Sequence, residues 1–238
     1  MMKTFVVNLD CYPERLAHIV GQCAQRELTF ERIPAVHGAS LSRTARRRAF
    51  AAFRSWCALG RRLTPGEIGC ALSHCAIYRR MVEEKIPAAL VFEDDVIIAP
   101  AIHERLKDVE AFLKLDRPQV VLLSAIFFDG GEKRGILRNR DAAWGTTGYV
   151  ITLPAAKRIA DVNTPVVAEA DAWKRWMRHC GVEVYTCWPA VVCQEDAFGT
   201  AVNTVPRKRF TGWRKWCHRA LRIPQLLVDW CFWILLGK

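Results

Sequence analysis

The stretch ALVFEDD, residues 89–95, ends an apolar run on three consecutive carboxylates, Glu93, Asp94 and Asp95. Buried and unpaired, such groups are costly, so they belong where water, a cation or a bound partner reaches them. Residues 88–92 are apolar enough for a buried strand, which places the acids where that strand leaves its sheet. Carboxylates converging there suit a hard divalent cation, Mg²⁺ or Mn²⁺, shared with a substrate's phosphates and stabilising charge on a departing diphosphate. A solvated acidic turn is the plainer alternative. Two or three of these acids could be ligands. Gln194, Glu195 and Asp196 follow a later strand, and Gln194 is a further candidate ligand.

Two other acids, Glu169 and Asp171 in VVAEADAWKRW, precede a predicted helix. One could take a proton from an attacking hydroxyl; equally, one could simply cap the helix. Residues 63–84 carry a strong helix entry, with Thr64 and Glu67 spaced as a capping box and Pro65 at the first helical position. Ile68, Ala71, Leu72, Cys75 and Val82 form its expected core stripe. Gly66, Gly69 and Ser73 make a strip of small residues that admits a backbone or a ligand. Glu67 and His74 share a side of the helix, although a buried, satisfied histidine is the commoner outcome.

The elements that hold these groups alternate strand and helix. Residues 4–10 read as a buried strand, and 12–27 as a helix with Leu16, Ile19, Val20 and Cys23 on one face. Residues 30–38 read as a second strand ending in a turn. That βαβ pattern predicts an α/β fold with a mixed, mainly parallel central sheet flanked by helices, and ligands at the strands' carboxyl ends. Further strands are expected at 87–98, 119–125, 149–154 and 182–188, with helices around 101–114 and at 155–162. The stretch 127–148 reads as loop, since glycines and charges replace periodicity.

The net charge is +11 over 238 residues, but it is localised. Residues 40–62 carry seven arginines and no acid, and residues 207–222 seven more basic groups and no acid. The remainder is therefore mildly acidic. The first basic segment reads as an amphipathic helical insertion or a solvated basic face, with Phe50, Phe53, Trp56 and Cys57 at helical spacing. The second opens a carboxyl-terminal segment, 206–238, where basic residues alternate with aromatics before about fourteen apolar residues that include Asp229. That is short of the ~20 a spanning helix needs. The expectation is peripheral attachment to an anionic membrane surface, the alternative a terminal helix packed on the core. Ten cysteines include no CxxC pair, and the apolar run in MMKTFVVNLD is expected to be too short for a secretory leader. Reduced thiols in a cytoplasmic protein are expected, and the spacings of Cys70/Cys75 and Cys187/Cys193 match no zinc finger.

The motifs VVNLDCYPERL, PAVHG, LTPGEIGCALSHCAIYRRMVE, LVFEDDV and GTTGYVIT, taken in order over residues 3–200, resemble glycosyltransferase family 25. That family includes bacterial lipooligosaccharide β-galactosyltransferases. The resemblance implies a GT-A-like nucleotide-sugar-binding fold over 1–205, a UDP-sugar donor (usually UDP-galactose), and Mn²⁺ or Mg²⁺ held through the acidic motif. It also implies a lipid-linked oligosaccharide acceptor and work at the cytoplasmic face of the bacterial inner membrane. By analogy, Asn8, Leu9, Arg15, Ala35, Val36, His37 and Gly38 border the nucleotide, with Arg15 near phosphate. Glu67, Ser73, His74, Glu93 and Asp94 line the donor pocket, and Thr147, Gly148 and Tyr149 wall the sugar or acceptor. By the same analogy Asp95 is the first choice for direct metal coordination, with Glu93 beside it, and Asp171 is the favoured base, since the family carries an acid in this region. The family commonly reads A-V-D-G where this chain has Ala35-Val36-His37-Gly38, which leaves the nucleoside contact open. The competing readings are a metal-dependent nuclease or phosphoesterase and a basic nucleic-acid-binding protein. Nucleic acid is set aside as a partner, because it leaves the acidic strand end and the small-residue helix face unexplained.

Overall fold

The computed structural model describes residues 2–125, 131–139 and 144–198. Strand β1 (Lys3–Asn8) leads through α1 (Pro13–Gln25) to β2 (Glu31–Pro34), which pairs with β1 in parallel, as the βαβ pattern predicts. Strand β3 (Ala88–Glu93) lies parallel on the other side of β1, with Val7 opposite Glu93. A turn at Asp94 and Asp95 leads into the short β4 (Val96–Ile98), and α5 (Ile102–Phe112) precedes β5 (Gln119–Leu122). Then come β6 (Gly135–Arg138), β7 (Gly148–Thr152), α6 (Leu153–Val162), α7 (Trp173–Cys180), β8 (Glu183–Trp188) and β9 (Val192–Gln194).

The main sheet has seven strands in the order β2-β1-β3-β7-β5-β8-β6. Only β7 and β6 run against the others, so the sheet is mixed but mainly parallel. β4 and β9 form a separate antiparallel ribbon in which Val96 faces Gln194.

Alternate residues of the central strands enter two cores. Phe5, Val7, Val91, Tyr149 and Ile151 pack with Tyr78, Met81, Ile159, Trp173 and Trp176 on one face. Val6, Leu90, Phe92, Val121 and Val150 pack with Ile19, Ile102 and Val109 on the other. Burial on both faces explains why β1 and β3 read as continuous apolar runs rather than alternating ones.

The long helix α4 (Pro65–Glu83) begins with the expected capping box: Thr64 accepts from the Glu67 amide, and Glu67 accepts from that of Thr64. Its stripe differs from expectation at the far end. Val82 is exposed, while Ser73, His74, Ile77, Tyr78 and Met81 are buried. The helix packs against both the sheet and α6, so its buried arc is wider than one apolar stripe. On α1 the buried ladder is Arg15, Ile19 and Cys23, and Val20 is exposed. That i, i+4 ladder carries Arg15 beneath the carboxyl ends of β1 and β3.

The basic insertion forms α2 (Arg43–Ala49), which buries nothing, and α3 (Ala52–Leu59), which buries Ser55 and Cys57. Phe50 packs with Leu63, Ile68 and Val166, while Phe53 is exposed. The loop reading of 127–148 missed β6, an edge strand that pairs antiparallel with β8. Among the described residues no helix is long and apolar enough to cross a membrane. The carboxyl-terminal segment 206–238 lies outside the described residues.

Candidate active site

Two neighbouring parallel strands, β1 and β3, end side by side, and their last residues open the site. The Asn8 amide donates to Asp94 Oδ2 at 2.7 Å and to the Tyr12 carbonyl at 3.2 Å, while its Oδ1 accepts from Arg32 at 2.9 Å. The buried Arg15 guanidinium reaches Asp94 Oδ1 and Asp95 Oδ2, each at 3.3 Å, and donates to the Phe198 carbonyl at 3.0 Å. The β4–β9 ribbon brings Gln194 to Asp95, donating to Oδ2 at 3.1 Å, and the Glu195 amide to the Asp95 carbonyl at 2.7 Å. Thr146 donates to Glu93.

The acids are therefore gathered and largely buried rather than solvated: Asp94 is 7% exposed and Asp95 4%. Their partners do not satisfy them all. Asp95 Oδ1 is buried with no hydrogen-bond partner. Burial and the adjacent charges of Glu93 and Asp94 push the Asp95 carboxyl up to about 7, against the pull of Arg15 and Gln194. Asp94 is also raised, chiefly by burial. Glu93 is held low: burial raises it, but His74, Thr146 and Arg15 together outweigh that.

A cleft of about 240 Å³ opens beside these acids. Leu9, Arg15, Ala35, Val36, His37, Gly38, Ser73, His74, Glu93 and Asp94 all line it, so most of the expected donor-binding set converges on one cavity. Segment 35–38 reaches the cleft by crossing α4 at its small-residue strip. A Cβ on Gly69 would stand 2.3 Å from the Val36 carbonyl oxygen, and one on Gly38 1.7 Å from that of Pro65. Ser73 Oγ accepts from the Val36 amide at 2.9 Å, and the Ala35 amide donates to the Asn8 carbonyl at 2.9 Å. What the strip admits is thus backbone. Gly69→Ala is expected to destabilise the fold by about 1–3 kcal/mol, read by urea denaturation, and to loosen the cleft wall. A Gly69→Ala variant as stable as the parent would refute this packing.

Other expected residues stand elsewhere. Glu67 is buried at the helix cap and pairs with Arg61 at 2.8 and 2.9 Å, away from the cleft lining. Thr147, Gly148 and Tyr149 do not wall the cleft. The backbone carbonyl of Thr147 accepts from the Glu93 amide at 3.0 Å, and Gly148 pairs with Phe92 inside the sheet. Tyr149 is buried, with its hydroxyl 2.7 Å from His74 Nδ1 and 2.8 Å from the Tyr78 hydroxyl. Because β7 pairs with β3, its residues alternate into the two cores, and Tyr149 meets the cleft only through His74.

Neither Glu169 nor Asp171 caps α7, whose N-cap is Ala172 with no side-chain bond. Glu169 pairs with Arg61. Asp171 accepts from the Gly145 amide at 3.2 Å, and its carboxyl is raised by burial, Glu169 and Glu93 despite that bond. From the sequence, Cys70 is weighed only beside Cys75, and Thr146 only as part of the GTTGYVIT motif. The spacing of Cys70 and His74, four apart on one helix, was a signal available for Cys70; nothing local marks Thr146.

Residues 1–173 match the family described as Glycosyltransferase family 25 (LPS biosynthesis protein). A mosquito protein from Anopheles gambiae named as a glycosyltransferase 25 family member is 28% identical over 214 residues, covering 78% of this chain and 35% of that protein. The chain thus spans about a third of the length of that relative. The lacto-N-neotetraose biosynthesis glycosyltransferase LgtE of Neisseria meningitidis serogroup B is 25% identical over 212 residues, covering 82% of this chain and 74% of that protein. Among solved structures, a glycosyltransferase involved in glycosylation of the major capsid of PBCV-1 aligns over 93% of this chain and 99% of its own, at 9% identity and a TM-score of 0.36. With its motifs gathered at one cleft and nearly three quarters of its length matched, the chain belongs to glycosyltransferase family 25.

Proposed function

We propose that this chain transfers a hexose, galactose from UDP-galactose, to a saccharide acceptor of bacterial lipooligosaccharide or lipopolysaccharide, with inversion and with Mn²⁺ or Mg²⁺ as cofactor. The observation that carries the reading is the bare, buried Asp95 Oδ1 next in the chain to Glu93 and Asp94, two carboxylates that line the cleft. Asp94 and Asp95 meet the buried guanidinium of Arg15, yet burial and the charges of Glu93 and Asp94 still push the Asp95 carboxyl up to about 7. The donor set is oxygen-rich and fits a hard cation, with Asp95 and Glu93 as ligands and Gln194 positioning Asp95. Bound there, the ion would neutralise charge on the departing diphosphate.

The chain's own groups supply the rest. Arg15 and Asn8 hold Asp94 and Asp95 in place and set the floor of the donor cleft. The 35–38 segment, fixed on α4, shapes the opposite wall. Asp171 takes the proton of the acceptor hydroxyl as that oxygen attacks the anomeric carbon. The galactose donor follows from the resemblance to β-galactosyltransferases. The acceptor class is supported by the family's description and by the name of the meningococcal relative.

The deciding experiment is a donor screen in which the protein meets Mn²⁺ and each UDP-sugar, and released UDP is measured. UDP release from UDP-galactose that requires the metal, without cleavage of DNA or RNA, is expected. Metal-dependent nuclease activity without UDP release would overturn the assignment. The basic, aromatic carboxyl-terminal segment is proposed to hold the enzyme at an anionic membrane surface, where a lipid-linked acceptor is presented. A chain ending at residue 206 is expected to lose sedimentation with phosphatidylglycerol vesicles, and undiminished sedimentation would contradict that role.

A further inference from the structure

Cys70 and His74 stand one turn apart on α4, facing the end of β3. A ligand atom from each of Cys70, His74 and Glu93 lies within 4.8 Å of the other two. The His74 ring is anchored from one side only, where Nδ1 meets the Tyr149 hydroxyl at 2.7 Å and Tyr78 backs that hydroxyl at 2.8 Å. Its other nitrogen, Nε2, is buried, has no hydrogen-bond partner and stands 3.6 Å from Glu93 Oε1. His74 as a whole is only 1% exposed. In the tautomer whose Nδ1–H donates to Tyr149, the Nε2 lone pair faces the Glu93 carboxylate, and a cation between them would bind both.

We propose that Cys70 Sγ, His74 Nε2 and Glu93 form a binding site for a thiophilic divalent ion of the zinc class, with a fourth position open to the cleft. Three protein ligands of sulfur, nitrogen and oxygen type, plus one open position, match the donor set of open zinc sites. The Tyr149 hydroxyl supplies the outer contact that fixes the imidazole's orientation in such sites. Sulfur and imidazole select zinc over manganese, so this site is distinct in chemistry from the oxygen ligands around Asp95. Binding deprotonates the Cys70 thiol and releases that proton to solvent. Zinc here occupies the cleft wall and takes Glu93 from the acidic cluster, so it opposes donor use.

The test uses the full chain after chelator treatment, titrated with Co²⁺ and then Zn²⁺. A sulfur-to-cobalt charge-transfer absorption that Zn²⁺ abolishes is expected. In Cys70→Ser the absorption disappears and Zn²⁺ binding weakens at least about tenfold, while Cys193→Ser, which removes an exposed thiol on β9, leaves both unchanged. Absence of the absorption in the parent, or its survival in Cys70→Ser, overturns the site. Should Cys70→Ser fail to fold, zinc protection of the parent's cysteines against alkylation, mapped by peptide mass spectrometry, decides instead. Protection of Cys70 supports the site and unprotected Cys70 overturns it. Neither measurement reads UDP release, so this proposal and the glycosyltransferase reading fail separately.

Discussion

Asp171→Asn is expected to lower transfer about 10²–10⁴-fold, the span a positioned general base supplies, while UDP-galactose binding persists. The substitution keeps shape and the acceptor for the Gly145 amide but removes the site that takes the proton. Of the two acids before α7, Glu169 is paired with Arg61, whereas Asp171 makes no ion pair among the described residues and is near enough to Glu93 for that charge to raise its carboxyl. Burial raises the Asp171 carboxyl above the ordinary aspartate value of about 3.9, and Glu169 and Glu93 raise it further. A base works deprotonated, so turnover rises with pH through that carboxyl's titration, and its acid limb lies above the ordinary aspartate range. Glu169→Gln breaks the clasp on Arg61 and is expected to reduce thermal stability more than turnover. Calorimetric donor titration and pH–rate profiles separate these outcomes. Undiminished turnover in Asp171→Asn removes that residue from the mechanism.

What was legible in the sequence is what repeats locally. The capping box at Thr64 and Glu67, the Pro13 and Pro65 helix starts and the apolar runs of β1 and β3 are all fixed by neighbours within a few residues. They sufficed to place the acids at a strand's carboxyl end. What was not legible depends on residues far apart in the chain. Asn8 meets Asp94 across 86 positions, Gln194 meets Asp95 across 99, and Thr146 meets Glu93 across 53. Sequence spacing carries no trace of such pairings. The exposure of Val20 and Val82 and the removal of Tyr149 from the cleft wall have one cause: the partner element, not the apolar pattern alone, decides which arc of a helix or face of a strand is covered. Strand β6 escaped notice because an edge strand needs one partner and little apolar surface, and Gly-Ile-Leu-Arg offers no alternation to detect.

Asp95→Asn separates the requirements of folding from those of catalysis. In the metal-free chain the Asp95 carboxyl titrates at about 7, far above its unfolded value near 3.9. The native state therefore holds a proton that the unfolded chain has released. That group's destabilisation is absent below about pH 4, grows as pH rises towards 7, and is constant beyond. Removing the ionisable oxygen stabilises the metal-free fold at pH 8 by on the order of 2–4 kcal/mol. The advantage shrinks towards zero at pH 4. Mn²⁺ reverses the order, because it stabilises only a chain that offers it the carboxylate, and proportionately to occupancy. Denaturation in EDTA and in Mn²⁺, at pH 4 and pH 8, reads all of this, and the same variant is expected to lose metal-dependent UDP release. A variant no more stable than the parent in EDTA at pH 8 would mean that the acids are already neutralised from within the chain. In that case Arg15, not a metal ion, would carry the charge on the departing diphosphate.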